Sequence, residues 1–323
     1  MSALDVGYRW FGACAAIVVL AACHGSPAQS GTLPNVVPSA DLGMSVSWMA
    51  PEAASEDLLY LSDVVANDVK VYSFREGRLV GTLTGFGKPR SECADEAGNV
   101  WIADIEGRDV IEYAHGGTKP IASLDTFGVP LGCSVDSAGH YLAVTGGIAG
   151  TIISIYHEGS HGRWSDPKRY TDSAIRIPYF CGYDSNGNLF IDGLMKSKAG
   201  HFALVELRRG SATFESIAVN QAIDTPGQVQ WDGKDLAIGD SGVAPSVAYR
   251  FSISGTNATE VGTTTLDGTI SVRQFWIAGG TLVGPDFNRN ARFWRYPSGG
   301  APFKTVARVH SYGAAVSPAA QSR

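Results

Sequence analysis

From residue 57 onward, apolar and polar residues alternate in short runs, as Val100 and Ile102 or Leu189 and Ile191 do. A period of two is the mark of half-buried strands. The runs are punctuated in a fixed way: a proline, then an aspartate six residues on, then a glycine, then an alternating strand. The pattern is read at Pro89, Asp95 and Gly98; at Pro130, Asp136 and Gly139; at Pro178, Asp184 and Gly187; and at Pro226, Asp232 and Gly233. Proline suits the first position of a strand, because it has no N–H to give to a ladder. Asp-x-x-Gly makes the following turn, the aspartate bonding nearby backbone and the glycine supplying a positive φ.

The prolines are 41, 48 and 48 residues apart, within the roughly 40–50-residue period of propeller blades. Each unit also holds a third strand (109–113, 151–156, 203–207) and a fourth (120–124, 215–219), so each repeat predicts a four-stranded blade. Weaker copies flank these. Residues 58–63, 68–72 and 79–83 make a blade lacking its first strand, and 271–276, 281–286, 291–296 and 304–309 make a last blade. The expected fold is therefore an all-β, six-bladed propeller of four-stranded antiparallel blades. Its ring is closed by the C-terminal strand 312–316 beside Leu58–Leu61, with Met44–Trp48 as the alternative donor. Closure removes the exposed sheet edges that invite aggregation.

Composition agrees: the chain has 39 glycines, and charged residues make up 17%. A net charge of −6 and the lack of a Lys/Arg stripe argue against nucleic-acid binding. At the N-terminus, Arg9 precedes the apolar run Trp10–Ala22, the build of a secretory signal and too short for an ordinary membrane span. The run ends in Leu20-Ala21-Ala22-Cys23, which resembles the lipobox of bacterial lipoproteins. That resemblance implies cleavage before Cys23, lipidation of its thiol, and export to the cell envelope. His24, where aspartate would favour inner-membrane retention, implies the outer membrane in a Gram-negative cell, facing the periplasm or the surface. The expected organisation is a signal over 1–22, a tether over 23–43, one propeller over 44–316 and a tail over 317–323. The partners expected are the membrane, through the lipid, and a protein, peptide or glycan ligand, with the chain a monomer.

The phrase from Pro89 through Asp95 and Gly98 to Val100-Trp-Ile-Ala-Asp104 resembles NHL-type repeats, and the likeness runs over residues 57–316. It implies the propeller fold and little about function, since such propellers include scaffolds, binders and lyases. The phrases Leu83-Thr-Gly-Phe86, Tyr113-Ala-His-Gly-Gly117 and Gln274-Phe-Trp276 are similar to a group of secreted bacterial propellers, which implies no particular chemistry. The related gluconolactonase-type propellers include metal-dependent hydrolases, but their ligand phrases have no match here.

Candidate chemistry is sparse. Asp63, Asp104, Asp192, Asp240 and Asp286 recur at the ends of second strands. Converging on a mouth, they could hold Ca²⁺, the one cofactor the sequence suggests, since that ion takes 6–8 oxygens. Serving each blade separately, they would bond loop N–H groups, which their repetition favours. His157-Glu-Gly-Ser-His161 matches His-Glu-x-x-His in letters only, because the zinc site needs a helix and this segment follows a strand. Asp184 to Asn188 has some of the residues of a calcium loop, yet the glycine spacing is that of a turn. Of the five cysteines, Cys14 lies in the signal. Cys93, Cys133 and Cys181 sit on first strands, with Cys93 one step further from its proline and so facing the opposite way. They read as small core residues, an inter-blade disulfide needing Cα atoms within about 7 Å. Trp101, Trp231, Trp276, Trp294, Tyr179, Phe180 and Tyr183 exceed what turns need; most should pack between blades. The sequence thus favours a non-enzymatic binding or scaffold propeller with no catalytic residue assigned. The alternative is a metal-dependent hydrolase, lactonase or lyase with its site at the channel mouth.

Overall fold

The repeat's turns form as their residues dictate. In the computed structural model, the Gly98 amide donates to the Asp95 carbonyl (3.1 Å) and the Asp95 amide to the Asn99 carbonyl (3.0 Å). Gly98 stands at φ +91°, a conformation open to glycine and strained for most other residues. The Asp95 side chain locks the turn by accepting from the Asn99 N–H at 2.8 Å. The structure describes residues 46–147, 151–160, 162–197, 200–287, 289–307 and 309–319. The signal run and Cys23 lie outside the described residues. Among the described residues no helix is long and apolar enough to cross a membrane.

The strands group into antiparallel meanders of four. One comprises Pro89–Ala94, Val100–Asp104, Asp109–Tyr113 and Pro120–Asp125. The next comprises Val129–Val135, Tyr141–Gly147, Ile152–His157 and Lys168–Tyr170. Two further meanders, starting at Ile175–Tyr183 and Pro226–Trp231, meet through a short parallel contact of their outer strands, Ala218 beside Asn257 and Val219 beside Ala258. A further one runs Trp276–Ala278, Thr281–Asp286, Asn290–Arg295 and Lys304–Ala307. In the remaining sheet the C-terminal strand Ser311–Ser317 pairs with Leu58–Asp63, placing Val316 opposite Leu59 and Ala314 opposite Leu61. Trp48–Met49 pairs at the other edge of that sheet, on Leu79–Leu83.

Period-two alternation explains why Leu58–Asp63 is buried along its whole length. Successive side chains leave opposite faces of a sheet, and both faces here are covered. Leu58 and Tyr60 pack in one cluster with Val100 and Ile102; Leu59 and Leu61 pack in another with Val283 and Phe293. The same relation recurs between Phe190 and Val229 in one cluster and between Ala237 and Leu282 in another. Each fully buried Leu or Ile contributes about 1.5–3 kcal/mol, so the core is a set of seams between sheets.

Two sequence expectations need correction. The first strand of the last meander covers only Trp276–Ala278, not 271–276. Residues upstream of it bond to the neighbouring meander instead: the Gln228 amide donates to the Arg273 carbonyl (2.8 Å), and the Val272 amide to Oγ of Ser246, just before a strand (3.0 Å). The cysteines are not all isolated core thiols either. Cys93 and Cys133 form a disulfide with Cα atoms 5.7 Å apart, and Cys181 is free and buried. The one-step offset does turn Cys93 the opposite way. Because neighbouring sheets pack face to face, opposite facing is what brings it onto Cys133, within the seam that holds Trp101 and Leu142. Cys181 shares the offset of Cys133 and lies in the next seam, with Ala143.

Candidate functional site

Asp63, Asp104, Asp240 and Asp286 end their second strands as expected, whereas Asp192 lies in the middle of a longer one, Leu189–Met195; all five are held in their own units. Asp104 accepts from the Gly87 N–H (2.5 Å) and the Lys88 N–H (2.6 Å), and more distantly from Glu106 and Gly107. Asp240 accepts from the N–H groups of Asp224, Thr225 and Gly242. Asp286 accepts from Ile270 and Ser271 N–H and from Arg292 Nη1 at 2.7 Å. Asp63 accepts from Val65 and Ala66 N–H. Asp192 accepts from the Phe180 N–H at 2.8 Å, and burial raises its carboxyl well above the ordinary range. In Asp104, Asp240 and Asp286 the carboxylate clasps the loop that enters the first strand of the same meander. Among the described residues no group of three or more His, Cys, Asp or Glu is placed to hold a metal.

The other sequence motifs resolve as local structure. His157 ends a strand, and Glu158 bridges to Trp164, so the segment is a hairpin arm; His161 lies outside the described residues. Asp184 Oδ1 accepts from the Asn186 and Asn188 N–H groups, an aspartate-capped turn. Of the aromatics, Trp101 and Trp294 are fully buried.

What distinguishes one repeat from another lies just after the proline. There the first strand carries a bulge against the second: between Pro89 and Ser91, between Pro178 and Cys181, and between Pro226 and Val229. Equivalent shifts admit Leu131 against Thr145 and Gly146, and Tyr312 and Gly313 against Ser62. A bulge leaves one residue outside the ladder and re-aims its side chain. The first strands pack beside one another, so these re-aimed residues gather at their proline ends. Here the Arg90 and Arg273 guanidinium carbons lie 5.6 and 5.7 Å from the centre of the Tyr312 ring. Arg273 is exposed and Arg90 half-buried. Neither has a carboxylate partner among the described residues. Burial, and next the charge of Arg273, pull the Arg90 guanidinium below its ordinary value. A cavity of about 260 Å³ is lined by Arg273, Arg289, Tyr312, His310, Val65 and Phe287 among others; Arg90 stands beside it through the Tyr312 ring rather than in its wall.

Behind this face the first strands are tied by amide side chains. Glu92 N–H donates to Gln274 Oε1 (3.2 Å) and Gln274 Nε2 donates to the Glu92 carbonyl (2.6 Å). Gln230 makes the same two-point bond to Ile277, accepting from its N–H at 2.7 Å and donating to its carbonyl at 2.9 Å. A primary amide offers a donor and an acceptor like a peptide unit, so each glutamine stands in for a missing strand partner of the short last meander. The Glu92 carboxyl is fully buried, and burial raises it well above the carboxylate range, with Ser62 pulling the other way. The opposite, turn-end face differs in charge: a cavity of about 410 Å³ there is edged by Asp95, Asp136, Asp184 and Asp232. Arg90, Glu92, Gln274 and Tyr312 were not singled out from the sequence. The available signal was that the residue after each proline does not repeat.

No family model matches the chain, and no curated protein matches it. Solved structures do. A chain of the nidogen/laminin complex, a β-propeller, superposes with a TM-score of 0.65 at 12% identity over 81% of this chain and 99% of that one. A protein of unknown function from Bacteroides caccae gives 0.60 at 12% identity, with the same shares covered. Hydrazine synthase of Kuenenia stuttgartiensis gives 0.55 at 12% identity over 82% of this chain and 80% of that one. The fold is propeller-like. At such identities the likeness carries no function.

Proposed function

We propose that the protein is a binding propeller of six blades, closed by its C-terminal strand and displayed from the bacterial envelope by a lipid on Cys23. The observation that carries binding is the division of labour among its polar residues. The repeating carboxylates are engaged by backbone N–H groups of their own units, whereas two bulge residues that do not repeat, Arg90 and Tyr312, meet at the proline end of the first strands, with Arg273 on the same ring. A framework that uses its repeated acids structurally and varies only its mouth suits recognition better than catalysis. The support for closure is the pairing of Ser311–Ser317 with Leu58–Asp63. Export fits a buried disulfide, since such bonds persist in oxidising compartments.

A thermal-shift screen of glycans and peptides, with parallel assays on lactones and esters, tests this reading. Saturable binding without turnover is expected, as is a melting temperature indifferent to EDTA. A stoichiometric divalent ion whose removal lowers the melt, together with hydrolysis of any substrate, would replace this reading with the hydrolase one. Removing residues 310–323 should lower the melt sharply; an unchanged melt refutes closure by that strand.

A further inference from the structure

The proline-end mouth combines two features that the fold itself does not require. The first is uncompensated positive charge in a chain of net charge −6. Arg90 and Arg273 share Tyr312, and the carboxylate lining the cavity, Asp286, is already engaged by Arg292 at 2.7 Å and by two backbone N–H groups. Arg289 lines the cavity as well, and positive groups gathered on one ring and one cavity wall without a free acid repel, a repulsion that a bound anion relieves. A guanidinium is a planar fork matched to the paired oxygens of a carboxylate or phosphate. The second feature is an exposed apolar rim. Val65 and Phe287 line the same cavity yet are 69% and 71% exposed, and Ile270, whose N–H bonds the cavity's Asp286, is 52% exposed. Such side chains clustered around a polar floor mark an interaction site more often than an ordinary surface.

We propose that this mouth binds a small organic oxyanion with an apolar body, a carboxylate or phosphate carried on an alkyl or aryl group. The oxyanion lies on Arg273 in the cavity wall, with Arg90 adding its charge from beside the shared Tyr312 ring, and the apolar body lies against Phe287 and Val65. A cavity of about 260 Å³ admits a group of roughly the size of a substituted benzene ring, at the small end of ligand pockets. The inference rests on the binding reading above and adds the ligand's chemistry.

Calorimetry on the full chain with phenylacetate, phenyl phosphate, phenylacetamide and acetate tests it. One or both of the aryl anions should bind, weakening as salt is raised, with the neutral amide and the bare acetate each at least about tenfold weaker. The better of the two aryl anions identifies the oxyanion. Arg273→Gln alters an exposed side chain and leaves the core untouched, so its effect reports on the site; it should weaken the anion about tenfold. Arg90→Gln should do the same, and Arg90→Lys should restore part of the loss. Equal binding of phenylacetamide, or unchanged anion binding in the Arg273→Gln variant, overturns the proposal. So does the failure of both aryl anions. In each of those cases the glycan and peptide screen still decides separately whether the protein is a binder.

Discussion

Opening the Cys93–Cys133 bridge is the sharpest perturbation of this fold, because its size follows from chain connectivity alone. The two cysteines are 40 residues apart in sequence and join the first strands of neighbouring meanders. In the chain-entropy account, a cross-link closing a loop of that length removes about 13 cal/mol/K from the unfolded ensemble, or about 4 kcal/mol at 25 °C. For a domain of this size that corresponds to a fall of roughly 10 °C in melting temperature. Both sulfurs lie in a seam where the cysteines are 1% and 2% exposed, so reductant should act only after unfolding. The assay compares melts of residues 45–323, a compact unit, refolded with and without reductant. Thiol titration in denaturant should count one thiol before reduction, Cys181, and three after it. Comparing oxidised and reduced forms of the same chain leaves every side chain in place. Three thiols before reduction, or coincident melts, would refute the reasoning.

Three further outcomes are expected. Gln274→Ala removes both bonds to Glu92 and leaves a buried N–H and C=O unpaired, which should cost about 2–4 kcal/mol in urea unfolding; a change within error would mean the bridge is not formed. Gly313→Ala directs a methyl into Glu92 Oε2 and the Arg90 carbonyl and should destabilise by about 1–3 kcal/mol, whereas Gly139→Ala, with open space around it, should cost only the strain of its positive φ. Burial, then the charge of Asp95, hold the Glu112 carboxyl at about 7, above its ordinary 4.5. A raised folded value favours the protonated form, so its contribution is full below about 4.5 and is lost as pH rises through 7. Melts from pH 4 to 8 should therefore show Glu112→Gln gaining on the wild type across that window. A constant difference would refute the assignment.

The strands, turns and repeat frame were legible in the chain because their causes are local. Proline at a strand's start, aspartate and glycine in a turn, and alternation of period two act within about ten residues of one another. The structural use of Asp104, Asp240 and Asp286 was foreseeable for the same reason: something repeated once per unit serves each unit. The facing of the cysteines could also be counted from their offsets. Their union could not, since it depends on the back of one sheet meeting the front of the next. The bulges were equally hidden: one residue inserted against a partner strand leaves no mark in the strand that carries it. Those insertions aim Arg90 and Tyr312 at a common point. Gln274 reaches Glu92 across 182 residues only because the sheets bring distant first strands side by side. Local preference settled which residues become strands; packing between sheets decided which side chains meet, and the candidate site is made of those meetings.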